Sequence, residues 1–214
     1  MNKSSSNISF NNRGRLRRPR VALNCILYNS ARWVERMLLS ARPVVSEIVA
    51  VVDPRTTDDT ALIVKRFGGK VIYAPFRDSF SELRNICIRE STAEWILALD
   101  DDEYLSPKLR DAIPRLVMAH GVDGYRIPRR NLHKPECYPD YQLRLFRRHG
   151  RWIYRVHETV VGLNNVVCLP PGEGLDIIHD MRPKLALGLK DYSLYVRLWE
   201  MDRRDGLMKE PYPR

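Results

Sequence analysis

No stretch of this 214-residue chain is apolar enough to cross a membrane as a helix, because its longest uninterrupted apolar runs, such as Ile48–Val52, have the length of a strand. Cysteine is sparse. Cys25, Cys87, Cys137 and Cys168 are widely separated and no pair has zinc-ligand spacing. Cys25 and Cys87 fall within apolar patterns, where a free thiol behaves as a small hydrophobe, so a reduced, cytoplasmic setting is the expectation. A Gly-rich loop ending in Lys is missing, which disfavours an ATPase. The first twenty residues contain no acid, and they lack the apolar stretch of a signal peptide. They do hold six basic side chains: Lys3, Arg13, Arg15, Arg17, Arg18 and Arg20. Residues 1–19 therefore read as a solvated basic tail whose mildest role is weak peripheral contact with an anionic membrane. The net charge is 36 − 26 = +10, and with those six removed the body carries +4, which weakens any inference of nucleic-acid binding.

What is present is enough apolar residue, 44% of the chain, to bury a core. From residue 21 the sequence alternates between two periodicities. Val21–Leu27, Ile48–Val52, Val71–Tyr73 and Trp95–Leu99 are short apolar runs suited to buried strands. Between them lie helical stripes: Val34, Met37, Leu38 and Ala41, with Asn29 or Ser30 as cap; Leu62, Ile63 and Phe67, capped by Thr57; and Leu83, Ile86 and Cys87, after a Ser79/Glu82 capping box. Such alternation predicts an α/β fold with a mostly parallel sheet covered on both faces, and ligands outside the carboxyl ends of its strands. Beyond residue 105 the pattern is mixed. A helix is expected over 106–119, strands near 124–127, 141–146, 152–156 and 166–169, and one helix over about 185–204. The expected organisation is a nucleotide-binding half at 20–104, a second half of the same domain at 105–184, and a terminal helix and tail at 185–214.

Asp53 ends the second strand, and Asp100-Asp101-Asp102-Glu103 follows the fourth without a break. Contiguous carboxylates repel one another unless neutralised, and hard oxygen ligands suit Mg2+ or Mn2+, which keep open positions for phosphate oxygens. In an extended or turn segment Asp100 and Asp102 would face one way and Asp101 the other. The competing reading is a solvated loop.

Four blocks carry a resemblance to the family-2 glycosyltransferases of GT-A fold. They are Asn24–Asn29, Ile48–Thr60 (IVAVVDPRTTDDT), Asp78–Asn85 (DSFSELRN) and Trp95–Glu103 (WILALDDDE). Farther on, Tyr141–Arg147 (YQLRLFR) and Trp152–Glu158 (WIYRVHE) resemble a bacterial subgroup that extends lipopolysaccharide cores and related glycans. The resemblance implies metal-dependent transfer of a sugar, with inversion, from a nucleotide-diphosphate donor (a UDP-sugar is favoured) to a hydroxyl of a glycan, lipid-linked or protein acceptor. It implies donor contacts from Asn29, Asp53, Asp78, Arg84 and Asp100, and metal ligation by Asp100 and Asp102, with Asp101 as a further candidate. His179 would complete the metal shell, or His157 in its place, and Glu158 is the candidate base that accepts the acceptor's proton. The turn Pro54-Arg55 departs from the small turn common in the family, which leaves a member without turnover conceivable. Two other readings stay open: a basic nucleic-acid-binding module, disfavoured by the acids at the presumed site, and another phosphate-handling enzyme such as a nucleotidyltransferase. Trp152 and Tyr154 could stack on a sugar or fill the core. Arg126, Arg129, Arg130, Arg144, Arg147 and Arg148 could meet an anion or remain solvated.

Overall fold

A computed structural model describes residues 18–189 and 192–207, so most of the basic leader lies outside the described residues. The first half alternates β1 (Val21–Leu27), α1 (Val34–Ala41), β2 (Glu47–Val52), α2 (Thr60–Arg66), β3 (Lys70–Tyr73), α3 (Phe80–Glu90) and β4 (Trp95–Ala98). All four strands pair in parallel, in the order β3-β2-β1-β4. Their near-continuous apolar runs are explained by burial on both faces: every residue of β4 and all but one of β1 and β2 are buried. Val34, Met37, Leu38 and Ala41 form the buried stripe of α1, as their spacing predicts.

Two expected caps are replaced. At α1 the cap position is Trp33, without a side-chain bond, and the Ser30 carbonyl accepts the N–H groups of Trp33 and Val34. At α2 the cap position is Asp59, also without a side-chain bond, and it is the carboxylate of Asp58, not the Thr57 hydroxyl, that accepts the Thr60 N–H, at 3.0 Å. Thr57 instead donates its N–H to Asn29 Oδ1, so both expected capping groups are spent joining the loops after β1 and β2. Ser79 does cap α3, accepting the Glu82 N–H.

The second half runs β5 (Glu103–Leu105), α4 (Pro107–Leu116), β6 (Gly124–Asn131), β7 (Asp140–Arg147), β8 (Arg151–Ile153), β9 (Thr159–Val161), β10 (Val166–Cys168), β11 (Ile177–His179), α5 (Arg182–Ala186) and α6 (Tyr192–Arg204). It extends the same sheet. β7 lies antiparallel to β4, followed by β6, β11 and β5, while β10 pairs with β6, and β8 and β9 form a separate ribbon. The sheet is therefore parallel from β3 to β4 and mixed beyond β4.

The strand expected over 152–156 stops at Ile153, because Tyr154 takes a left-handed φ of 70° that breaks the pairing. The single helix expected over 185–204 is two helices. Pro183 lies in the first turn of α5, and Gly188 (φ 63°) ends it by donating to the Leu185 carbonyl. α6 buries Leu198 and Trp199 against Val156, with Phe76 and Phe80 alongside. Among the described residues no helix is long and apolar enough to cross a membrane.

Candidate active site

β2 and β4 are parallel to β1, so their carboxyl ends open on one edge of the sheet, where Asp53 and the acidic run lie. Asp53 is 3% exposed and accepts from the Arg55 guanidinium through both oxygens (2.9 and 2.8 Å) and from the Phe76 N–H (2.8 Å). The Arg55 bonds lead in holding its carboxyl far below the usual range, against the cost of burial. Arg55 itself is 64% exposed, so this partner can leave.

The acidic run does not follow the alternation of an extended segment. The chain turns at Asp101 and Asp102 between β4 and β5, which separates Asp100 from its two neighbours. Asp100 is gripped by Arg84 Nη2 (2.7 Å) and Arg144 Nη2 (2.8 Å). Burial opposes its charge, but Arg144 and Arg84 outweigh that and hold it well below the usual carboxylate range. Arg84 Nε also donates to Glu158 Oε1 (2.7 Å), and its guanidinium lies 5.1 Å from the Trp152 ring centroid. Arg144 continues to the wholly buried Glu103, which Arg129 shares, and Arg129 in turn grips Asp140.

Asp101 and Asp102 face a different partner. Lys184 Nζ lies 2.5 Å from Asp101 Oδ1 and 2.9 Å from Asp102 Oδ2. Burial pushes the Asp101 carboxyl up despite that ammonium. Asp102 is held at about 2, because the His179 hydrogen bond and the Lys184 charge prevail over burial. His179 reaches Asp102 Oδ1 with Nε2 at 3.5 Å, and its Nδ1 lies 2.7 Å from Asn131 Oδ1. The Asn131 amide nitrogen donates to Asp140 Oδ2 (3.0 Å), which turns its oxygen towards the ring. Nδ1 of His179 therefore donates to Asn131, and Nε2 is the ring nitrogen that faces Asp102.

Residues 25–168 match the glycosyl transferase family 2 domain. The chain belongs to that family. An uncharacterised glycosyltransferase of Rickettsia felis is 34% identical over 128 residues, covering 54% of this chain and 43% of the relative. The glycosyltransferase SunS of Bacillus subtilis is 29% identical over 154 residues, covering 69% of this chain and 36% of SunS. The chain thus spans less than half the length of these relatives. The glucosyl-3-phosphoglycerate synthase of Mycobacterium tuberculosis, solved with Mn2+, UDP and phosphoglyceric acid, superposes with a TM-score of 0.61. That superposition covers 89% of this chain and 80% of the synthase at 14% identity, and shows the GT-A fold.

Within this family-2 framework the structure brings Arg84, Asp100 and Glu158 into one contact set, and Asp101, Asp102 and His179 into a second. Asn29 ties two loops together at the same edge (φ 47°). Asp78 (φ 56°) accepts from Arg197 of α6 at 2.8 Å. His157 lies exposed in the loop before β9, and the ring against Asp102 is that of His179. Trp152 is buried against Phe146, so it packs the core.

Glu103 and Lys184 are the groups that sequence reasoning did not single out as site residues, while Arg144 was named only among six arginines that could meet an anion and in the structure meets Asp100 and Glu103. Lys184 had no signal, since 83 residues separate it from Asp101. Among the described residues no group of three or more His, Cys, Asp or Glu side chains is assembled as a metal cage. The donor chemistry nevertheless fits a hard cation: Asp101 and Asp102 already share a positive charge, an imidazole stands beside them, and Mg2+ is commonly held by one or two carboxylates plus substrate phosphate.

Proposed function

We propose that this chain holds the nucleotide-sugar site of a glycosyltransferase that transfers a sugar from a nucleoside diphosphate to an acceptor hydroxyl with inversion. One observation carries this reading: Asp53, Asp101 and Asp102 stand at one edge of parallel strands, each neutralised by a cation of the chain that a ligand can replace. The family match and the UDP and Mn2+ bound to the mycobacterial synthase support it. In this reading residues 20–104 bind the donor and residues 105–184 complete the acceptor side.

Asp53 accepts hydrogen bonds from the nucleoside once Arg55 swings away, with Asn29 and Asp78 shaping the adjoining loops. Arg84 and Arg144 keep Asp100 fixed. Asp102 and His179, with Asp101 adjacent, would hold Mn2+ or Mg2+, which when bound neutralises charge on the leaving diphosphate. The acceptor oxygen attacks the anomeric carbon as its proton passes to Glu158. The bond from that carbon to the diphosphate oxygen breaks, and the nucleoside diphosphate departs with the electron pair. Arg84 positions Glu158 through the Nε contact.

A panel of UDP-, GDP-, CMP- and dTDP-sugars, with and without Mn2+ and read by thermal shift and donor hydrolysis, tests the proposal. A shift that needs one nucleotide together with metal is expected. A shift from DNA or RNA alone, weakening steeply with salt, would replace it with the nucleic-acid reading.

A further inference from the structure

The two halves of the acidic run are neutralised by very different devices. Arg84 and Arg144, on Asp100, are buried and hold further carboxylates, so neither can withdraw without stranding a charge. Lys184, on Asp101 and Asp102, sits on α5, a five-residue helix with no buried residue. Its side chain is 20% exposed. Lifting it breaks two ion pairs and uncovers little apolar surface. The oxygens of Asp102 are divided, with Oδ2 towards Lys184 and Oδ1 towards His179.

We infer that Lys184 is the resident counter-ion of the Asp101–Asp102 pair and competes with a divalent cation for it, so that this lysine sets how tightly the chain binds Mn2+ or Mg2+. The inference rests on the proposed reading of Asp102 as a cation ligand. An ammonium 2.5 and 2.9 Å from the two oxygens leaves no space between them for a metal whose own oxygen contacts run from about 2.0 to 2.6 Å. Binding therefore exchanges one cation for the other. An ammonium supplies one positive charge to two carboxylates, whereas Mn2+ or Mg2+ supplies two.

The test is Mn2+ binding to the full chain in the presence of UDP, followed by the electron paramagnetic resonance of free Mn2+. Lys184→Met and Lys184→Gln are expected to bind Mn2+ about tenfold more tightly than wild type, the equivalent of about 1.4 kcal/mol of competition removed. Lys184→Arg, which keeps the charge, is expected to stay near the wild-type affinity. Without metal the Met variant should melt lower, and saturating Mn2+ should abolish the difference, a rescue that a purely structural lysine would not show. Unchanged or weaker Mn2+ binding by both neutral variants, with Asp102→Asn abolishing it, would overturn the role of Lys184 and leave the cation-site reading standing. Absence of Mn2+ binding in wild type and neutral variants alike would overturn both.

Discussion

Asp100 and Asp102 are two residues apart and inhabit different electrostatic regions. Asp100 belongs to a buried ladder that runs from Glu158 through Arg84, Arg144 and Glu103 to Arg129 and Asp140, stitching α3 to β5, β6 and β7. Asp102 belongs to an edge where one lysine and one imidazole are its partners. A run of like charges therefore need not act as one site. Asp102 is no more open to water than Asp100, so the difference lies in the partners. Arg84 and Arg144 each hold further carboxylates and are costly to withdraw, while Lys184 stands on a short helix with no buried residue and can be exchanged.

The largest expected effect breaks the ladder. Arg144→Met leaves the wholly buried Glu103 and the held Asp100 short of positive charge, and should cost about 3–5 kcal/mol of stability, read by chemical denaturation. Next, Glu158→Gln should lower turnover about a hundredfold or more while donor affinity stays constant, because proton acceptance is lost and not binding. Wild-type turnover in that variant would remove the base assignment.

On the exchangeable side, Asn131→Ala releases the hydrogen bond that orients His179. It should weaken Mn2+ binding by about tenfold, measurable by calorimetry, with little change in fold stability. The smallest effect is a pH dependence. Asp53 has a depressed pKa in the folded chain, so its stabilising contribution is complete above the usual carboxylate range, near about 4, and is lost as pH falls. The difference in melting temperature between wild type and Asp53→Asn should therefore hold steady from pH 7 to about pH 5 and shrink as pH falls further towards pH 3. A difference that stays constant into that acid range would mean that the Arg55 pairing does not contribute.

Much of the first half was legible because its signals are local. The apolar runs of β1, β2 and β4, the stripe on α1 and the serine cap of α3 depend on neighbours within a few residues. Thr57 was misjudged because a hydroxyl near a helix start offers a cap, while the helix begins only at Thr60 and the Thr57 hydroxyl turns to Asn29. α5 was hidden inside a longer Leu- and Tyr-rich pattern, although Pro183 and Gly188 marked both its ends. The facing of Asp100 and Asp102 was misread because strand alternation was extended into residues that turn.

By itself the sequence determined that parallel strands would end in carboxylates at one edge of an α/β sheet, since hydrophobic periodicity and the placement of Asp53 and Asp100–Asp102 are properties of contiguous residues. Only the tertiary structure decided which cation answers which carboxylate. Arg55 pairs locally with Asp53, but Arg84, Arg144 and Lys184 reach their carboxylates from separate parts of the chain, and Coulomb energy depends on distances that no linear spacing encodes.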